Sequence, residues 1–451
     1  MITLFEPKTI AVIGASSEEK TVGNDIVTNL LSGGVFKTKY CKPFKGKIFL
    51  VNPNHKKILN KPCYKNVNDI KENIDLAIIA VKSFIVPEIL KDCIKKKIKY
   101  AIIISAGFSE TGKKGIKLQN KIKQYIKKIR IIGPNCLGII NTENNLNASF
   151  APSMPPKGHI AFISQSGALA DSVIDWSIEQ RYGFSKIISY GNAIDLNETD
   201  FLEYLLNDKE TKVITMYIES IKNGIKFMRV AKKVSRVKPI IIIKAGKSEE
   251  GKKAISSHTG SLSSNYEIYK AAFKQSNIVE ANTVEALFDI AKALEEQPRL
   301  RKNSIAIITN GGGPGVLASD YCSYYGIKLA KIKRSIFKKL DKKLHPAYSR
   351  NNPLDIVGDA LPEHYEIAIN ELLKQNNIYG LIVIQTLQTM TNTMKDAQIV
   401  INAHKKYPSK PIICVYMGGK FSKNSINLLE RHNIPDFNDP EKAVKAMKAL
   451  L

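Results

Sequence analysis

Ile160-Ala-Phe-Ile-Ser-Gln-Ser-Gly, residues 160–167, sets the fold. Its first four residues are apolar and strand-like, Ser164-Gln165-Ser166 form a small polar turn, and from Gly167 onward Leu169, Val173 and Trp176 recur at helical spacing. A strand with no polar alternation is buried on both faces, as in a parallel sheet covered by helices on each side. The same pattern opens a later stretch, Ile305-Ala-Ile-Ile-Thr-Asn-Gly-Gly. Two matching openings of strand, glycine-bearing loop and helix predict a pair of similar domains.

Working outward, apolar runs of strand length recur at 9–13, 47–51, 76–81, 100–105, 186–190, 213–218, 240–244, 304–309, 380–386 and 411–417, with helical patterns between them. The prediction is an α/β protein built of parallel sheets. Residues 141–159 and 295–303, rich in Pro and polar side chains, read as linkers. They divide the chain into 1–145, 146–297 and 298–451, in keeping with 451 residues at roughly 150 per domain.

Composition narrows the function classes. Hydrophobic residues are 44% and charged residues 24%, which suits a folded chain, and no apolar run approaches the roughly 20 residues of a membrane helix. The first nine residues, with Glu6, Pro7 and Lys8, do not read as a signal peptide. The net charge of +27 comes from lysines scattered over helix faces, and no basic stripe interleaved with aromatics points to nucleic acid. One cluster stands apart: Lys37, Lys39, Lys42, Lys45 and Lys47 crowd a single loop. The six cysteines, at 41, 63, 93, 136, 322 and 414, include no CxxC pair. That excludes a zinc-finger or disulfide framework and predicts a reducing, cytoplasmic setting.

Four stretches carry chemistry. In Val12-Ile-Gly-Ala-Ser-Ser, continuing to Val22-Gly23, a strand delivers Gly14 and a polar loop with Ala15 and Ser16 leads into a helix. Backbone amides at such a helix start hold phosphate. The NAD fingerprint is missing: there is no GxGxxG, and the next strand ends in Asn52-Pro53 where a ribose-binding acid is expected. A nucleotide held by its phosphates and by backbone is the prediction, with Ala80, Val81, Ser105, Ala106, Gly107 and the loop bearing Asn135 lining the same crevice. The second stretch is Ser164–Leu169, where Ser166, Gly167 and Ala168 start a helix and form an anion pocket. Glu219 closes a neighbouring strand and aims a carboxylate at that pocket; it needs a partner, and a histidine suits, because a carboxylate on one ring nitrogen leaves the other nucleophilic.

The third stretch supplies the histidine: Ser256-Ser-His-Thr-Gly-Ser-Leu places His258 among small and hydroxyl residues. The other six histidines lie in charged or Pro-rich surroundings and read as exposed or loop residues. The fourth is Thr309-Asn-Gly-Gly-Gly-Pro-Gly-Val, where Gly311, Gly312, Gly313 and Gly315 precede a helix and form a second anion cradle. It is no Walker A loop, since no Lys-Ser or Lys-Thr follows. One nucleophilic histidine and two helix-terminus anion pockets together suggest a phosphoryl carrier.

Taken in order, Ile10-Ala-Val-Ile-Gly-Ala-Ser, Val51-Asn-Pro, Ile104-Ser-Ala-Gly-Phe, Gly133-Pro-Asn-Cys-Leu-Gly, Phe162-Ile-Ser-Gln-Ser-Gly-Ala-Leu, Tyr217-Ile-Glu, Ile243-Lys-Ala-Gly, the His258 stretch, the four-glycine stretch and Asn352-Pro-Leu-Asp cover nearly the whole chain. In these motifs the chain resembles the alpha subunit of ADP-forming acyl-CoA synthetases (acetate–CoA ligase, ADP-forming), relatives of succinyl-CoA synthetase. The resemblance implies a Rossmann-like CoA-binding domain over 1–145, then two flavodoxin-like, succinyl-CoA synthetase-like parallel-sheet domains, the first carrying the phosphohistidine loop. It implies that His258 is phosphorylated, that Glu219 steadies it, that the Ser166–Ala168 helix start cradles it near CoA, and that the Gly311–Gly313 helix start does so near the nucleotide. The crevice residues Gly14, Ala15, Ser16, Gly23, Asn52, Pro53, Ala80, Val81, Ser105, Ala106, Gly107 and Asn135 become the expected CoA contacts. Lys56 stands in for the CoA-contacting lysine that succinyl-CoA synthetases place shortly after their Val-x-Pro.

By the same resemblance, acyl-CoA, phosphate and ADP give acid, CoA and ATP through acyl phosphate. No stretch reads as an ATP-grasp domain, so an ATP-grasp beta subunit is the implied partner, holding ADP or ATP and Mg2+ in a hetero-oligomer, and this chain alone should make no ATP. No metal site is expected on this chain. The loop 35–47 is longer than the family's usual link, so its lysines are candidates for contact with CoA phosphates or the partner. Two alternatives stay open: a succinate-type ligase subunit, and a CoA- or acyl-CoA-binding regulatory module without turnover.

Overall fold

The computed structural model describes residues 1–259 and 265–451, and of 256–259 the backbone alone. Two compact units divide the chain, Met1–Thr283 and Val284–Leu451.

The first unit holds two sheets. One contains β1 (Thr9–Ile13), β2 (Lys47–Val51), β3 (Lys57–Ile58), β4 (Lys61–Tyr64), β5 (Leu76–Ile79), β6 (Tyr100–Ile103) and β7 (Arg130–Ile132), in the order β3-β4-β2-β1-β5-β6-β7. Setting aside the antiparallel β3, six parallel strands run in the Rossmann order, and the order reverses between β1 and β5. A crevice opens at that switch point. The second sheet contains β8 (Gly138–Asn141), β9 (Leu146–Ser149), β10 (Lys157–Ser164), β11 (Phe184–Ser189), β12 (Val213–Ile218), β13 (Ile240–Lys244) and β14 (Val279–Glu280). Its parallel strands lie in the order β11-β10-β12-β13-β14, the flavodoxin-like arrangement, and the β8–β9 hairpin pairs antiparallel onto β11.

The second unit repeats this plan in smaller form. β15 (Ile305–Thr309), β16 (Leu354–Asp355), β17 (Gly380–Thr386) and β18 (Ile412–Met417) are all parallel, in the order β16-β15-β17-β18, with a parallel bridge from Cys414 to Asp436 at the fifth position. The α/β class and the strand–loop–helix repeat are therefore as the sequence predicts. Isoleucine-rich strands such as β13 and β15 are buried along their whole length because helices cover both faces. Each such side chain contributes about 1.5–3 kcal/mol of burial.

The stretch 141–159 is not a free linker. β8 and β9 are fully buried, and the Asn and Ser residues that suggested a loop make tertiary hydrogen bonds. Asn141 Nδ2 donates to the Phe5 carbonyl at 2.9 Å, Asn147 Nδ2 to the Gly33 carbonyl at 3.1 Å, and Asn29 Nδ2, from the first sheet's leading helix, to the carbonyls of Ser149 and Ala151 at 2.8 Å each. Composition registers polarity; it does not register that the partners are buried backbone. The 295–303 stretch is also anchored: Leu300 is buried and its N–H donates to the Leu450 carbonyl at 2.9 Å. The preceding helix, Val284–Glu296, belongs to the second unit, where buried Lys292 pairs with Glu430.

Candidate active site

The first crevice is shaped by two glycines. Gly14 has φ +92°, and a Cβ there would lie 2.2 Å from the Ala80 carbonyl oxygen. A Cβ on Gly23 would lie 2.1 Å from the Gly14 carbonyl oxygen. The helix Val22–Ser32 thus starts directly on the loop, with Thr21 capping it by accepting from Asn24 N–H. The loop is pinned from both sides: Asn24 Nδ2 donates to the Ser16 carbonyl at 3.2 Å and Asn52 Nδ2 to the Ala15 carbonyl at 2.8 Å. Asn52 therefore positions the loop from the site where a ribose-binding acid stands in NAD folds. Across the crevice Ser105 Oγ donates to the Val81 carbonyl at 2.5 Å and accepts from the Val81 N–H at 3.2 Å. Asn135, in the left-handed region at φ 58°, gives its N–H to the Ser105 carbonyl at 3.0 Å.

The second sheet meets this crevice with a nest. Ser164 Oγ donates to the Ser166 carbonyl at 2.7 Å and accepts from the Ser166 N–H at 3.1 Å, closing a tight ring at the end of β10. Ser166 then caps the helix Gly167–Gln180, its Oγ accepting from Leu169 N–H at 3.2 Å. The first amides of that helix, Gly167 and Ala168, have no intrahelical acceptor and face the positive end of the helix dipole. Gln165 fixes the neighbouring strand: its Oε1 accepts from the backbone N–H groups of Glu219 and Ser220, and its Nε2 donates to the Ser220 carbonyl at 3.0 Å. Glu219 is thereby held beside the nest at 7% exposure. Lys244, 2% exposed, donates to the Glu219 carbonyl at 2.7 Å and lies 4.6 Å from the Tyr269 ring centre. Loss of water pushes the Lys244 ammonium down to about 8, against the opposing pull of Glu219.

Strand ends of both sheets line one cavity of about 870 Å³. From the first sheet come Ala80, Val81, Ser105, Ala106 and Asn135; from the second come Gln165, Ser166, Gly167, Ala168, Asp171, Asn192, Glu219 and Lys222. The structure thus brings together nine of the residues singled out by sequence. Gly14, Ala15, Ser16 and Gly23 shape the adjoining turn without lining the cavity, Gly107 packs against Ser83, and Asn52, Pro53 and Lys56 lie beyond it. None of Lys37, Lys39, Lys42, Lys45 and Lys47 lines it either; Lys45 and Lys47 face a separate cavity of about 1000 Å³ with Glu6, Glu203 and Glu210. Sequence reasoning missed Asn192, whose Nδ2 reaches Glu110 at 2.6 Å, Gln119 at 3.0 Å and Ser109 at 3.2 Å, tying the second sheet's loop to the first sheet's crevice. The Gly191-Asn192 pair is a turn signal after β11, and nothing in its spacing reveals the partners. Among the other histidines, His159 lies within β10 with Nδ1 2.7 Å from the Glu210 carbonyl, and His404 is half-buried rather than exposed, its pKa lowered by that burial.

The His258 backbone lies in the helix Glu249–Thr259, which follows the end of β13; its side chain, and all of Gly260 and Ser261, fall outside the described residues. The helix folds back on Gly246, whose φ is +72° and where a Cβ would strike Ile255 Cδ1 at 2.4 Å.

In the second unit the glycine stretch builds a matching nest. Thr309 Oγ1 donates to the Gly311 carbonyl at 2.8 Å and accepts from the Gly311 N–H at 3.0 Å. Asn310 Nδ2 donates to the Thr386 carbonyl at 2.9 Å, and Asn310 Oδ1 accepts from the Thr386 N–H at 2.7 Å. The helix Gly312–Tyr325 begins there with no side-chain cap, and Gly313 has no neighbour within 4 Å of an added Cβ. Asn352 is structural: its Nδ2 donates to the carbonyls of Ile305 and Ala330 at 2.9 Å each. Among the described residues no group of three His, Cys, Asp or Glu is placed to hold a metal ion, and no helix is long and apolar enough to cross a membrane.

Family models match each part of this architecture: a CoA binding domain over residues 8–142, a succinyl-CoA ligase like flavodoxin domain over 157–294 and a ligase-CoA domain over 305–449. The alpha subunit of acetate–CoA ligase [ADP-forming] II from Pyrococcus furiosus is 41% identical, the match covering 99% of this chain and 96% of that subunit. This chain belongs to the ADP-forming acetate–CoA ligase family. An acetate–CoA ligase [ADP-forming] of Methanocaldococcus jannaschii is 46% identical over 98% of this chain, and one of Archaeoglobus fulgidus 43% identical over 100%. The chain spans 62% and 63% of the length of those two family members. Among solved structures, acetyl-coenzyme A synthetase 1 of Ca. Korarchaeum cryptofilum, in complex with phosphate and ADP, superposes with a TM-score of 0.93 at 36% identity, covering 100% of this chain and 96% of that one. The family's fold is the one expected from the motifs: a CoA-binding domain and two ligase domains.

Proposed function

We propose that this chain is the CoA- and acyl-handling alpha subunit of an ADP-forming acyl-CoA synthetase, interconverting acyl-CoA, ADP and phosphate with a carboxylic acid, CoA and ATP. The observation that carries this reading is the 870 Å³ cavity, where the crevice of a Rossmann-ordered sheet and the Ser166–Ala168 nest meet beside a buried glutamate. CoA lies along the strand ends at Ala80, Val81, Ser105, Ala106 and Asn135, its thioester directed to the nest. Phosphate held on the Gly167 and Ala168 amides attacks the acyl carbonyl, and the CoA thiolate leaves, giving acyl phosphate. The His258 imidazole then takes the phosphoryl group and releases the carboxylate. Glu219 accepts the proton of the other ring nitrogen and so orients the ring.

Phosphohistidine transfers its phosphoryl group to ADP at the Gly311–Gly313 nest. The nucleotide and Mg2+ sit on an ATP-grasp partner, which fits the name 'subunit alpha' borne by relatives from Pyrococcus furiosus. The free thiols of all six cysteines suit a cytoplasmic enzyme. The test is phosphorylation. With the partner subunit and labelled ATP, the chain should acquire an acid-labile, base-stable phosphate that His258→Ala abolishes. No label on the wild-type chain, or undiminished label on the variant, overturns the reading.

A further inference from the structure

Of the three acids on the nest helix, Asp171, Asp175 and Glu179, none enters the mechanism above, and Asp171 alone lines the cavity. Asp171 stands one turn beyond Gly167 and Ala168, on the same helix face, and lines the cavity. Its Oδ1 is shielded from solvent and has no hydrogen-bond partner among the described residues. A buried carboxylate oxygen without a donor is costly, and proteins rarely retain one without a use. At the matching position of the second nest, counting from Ser164 and Thr309, stands Val316, 61% exposed. The acid is therefore no requirement of the strand–nest–helix device; it belongs to this cavity.

We propose that Asp171 is a specificity-determining residue that restricts the acyl group to uncharged chains by repelling a second carboxylate. This rests on the proposed function. The nest amides neutralise a single anionic group, the phosphate or the reacting carboxyl. Beyond them the cavity presents Asp171 and Glu219, both acids. Three lysines also line it, Lys82, Lys123 and Lys222; all three are exposed, and Lys222 is engaged by the carbonyls of Asn192 and Ala193 at 3.0 and 2.7 Å. An acyl chain ending in a second carboxylate would bring like charges together where water is scarce. Burial holds the Asp171 carboxyl up at about 6, so at neutral pH it is still mostly ionised and the repulsion acts.

The test measures binding of CoA, acetyl-CoA and succinyl-CoA to the full chain at pH 7.5 by calorimetry, for wild type, Asp171→Asn, Asp171→Ala and Asp171→Glu. Wild type should favour acetyl-CoA over succinyl-CoA by about a hundredfold, the repulsion of two charges at this depth. Asp171→Asn and Asp171→Ala should bring that ratio to within about threefold and leave CoA affinity unchanged; Asp171→Glu, which keeps the charge, should keep the preference. A ratio unmoved in both neutral variants, or an equal loss for all three ligands, overturns the assignment. A wild-type chain that binds CoA without preferring acetyl-CoA also overturns it, while leaving the proposed function standing. A wild-type chain that binds none of the three ligands overturns the proposed function and this inference with it.

Discussion

At the first nest Ser164 closes a ring on Ser166 and Gln165 ties the loop to the end of β12; at the second, Thr309 closes the same ring on Gly311 and Asn310 ties the loop to the end of β17. The Ser164 and Thr309 rings correspond atom for atom, while the ties differ: Gln165 accepts from two backbone N–H groups and donates to the Ser220 carbonyl, whereas Asn310 accepts from the Thr386 N–H and hydroxyl and donates to the Thr386 carbonyl. The surroundings diverge. The first nest has a side-chain cap from Ser166, Glu219 beside it and Asp171 one turn on; the second has an uncapped glycine, Thr386 where Glu219 stands, and exposed Val316 where Asp171 stands. The same strand–nest–helix device occurs twice, and acids stand around only one copy. In the proposed mechanism the acidic copy serves the step that activates an imidazole and sorts acyl chains. In the same proposal the open glycine copy admits close approach by a phosphate-bearing group.

The largest effect should come from the charge difference. Glu219→Gln should leave the fold intact, since Gln165 binds the backbone at 219, and slow phosphoryl transfer to the chain by roughly a hundredfold or more in rapid-quench labelling. Thr386→Val, its counterpart, should change the same step by less than about threefold; equal effects would erase the functional distinction between the nests. Next come the ties themselves. Gln165→Ala and Asn310→Ala each strand backbone groups at a strand end and should each cost about 2–3 kcal/mol in denaturant unfolding, the first in the Met1–Thr283 unit and the second in the other. If only one of them destabilises, the two rings are not equivalent.

Smaller still is the stability effect at Asp171. Its carboxyl titrates near 6 when folded against an ordinary 3.8, so the folded state holds its proton longer and stability falls as pH rises between those values. Asp171→Asn removes that loss. It should stabilise the chain by about 1 kcal/mol at pH 8, after allowance for partial solvation, and the gain should vanish by about pH 4. A stabilising substitution that harms discrimination would identify a residue retained for function. Val316→Asp, placing the same acid on the exposed counterpart, should shift stability by no more than about 0.5 kcal/mol.

Most of the fold was legible because buried parallel strands announce themselves as apolar runs, and β1, β2, β12, β13 and β17 coincide with those runs to the residue. β8 and β9 were not, since their Asn and Ser content imitates a loop until the Gly33 and Phe5 carbonyls are brought alongside. The nests were legible for the same local reason as the strands: a glycine or serine at the junction of strand and helix has a short-range cause. Asn192, Lys244 and Asp171 have none, and their meaning lies in partners tens of residues away or, for Asp171, in a partner that is missing.

By itself, then, the order of residues settled what is decided within a turn or two of chain: strands buried on both faces, glycine junctions, amides exposed at helix starts, and through them the family. Only the tertiary structure decided which strand ends share a cavity, that Lys56 and the lysine loop do not line it, and that one helix turns into it an acid whose Oδ1 has no hydrogen-bond partner among the described residues. The reason is that backbone conformation answers to neighbouring residues, whereas burial, desolvation and the choice of hydrogen-bond partner depend on what the fold carries in from far along the chain.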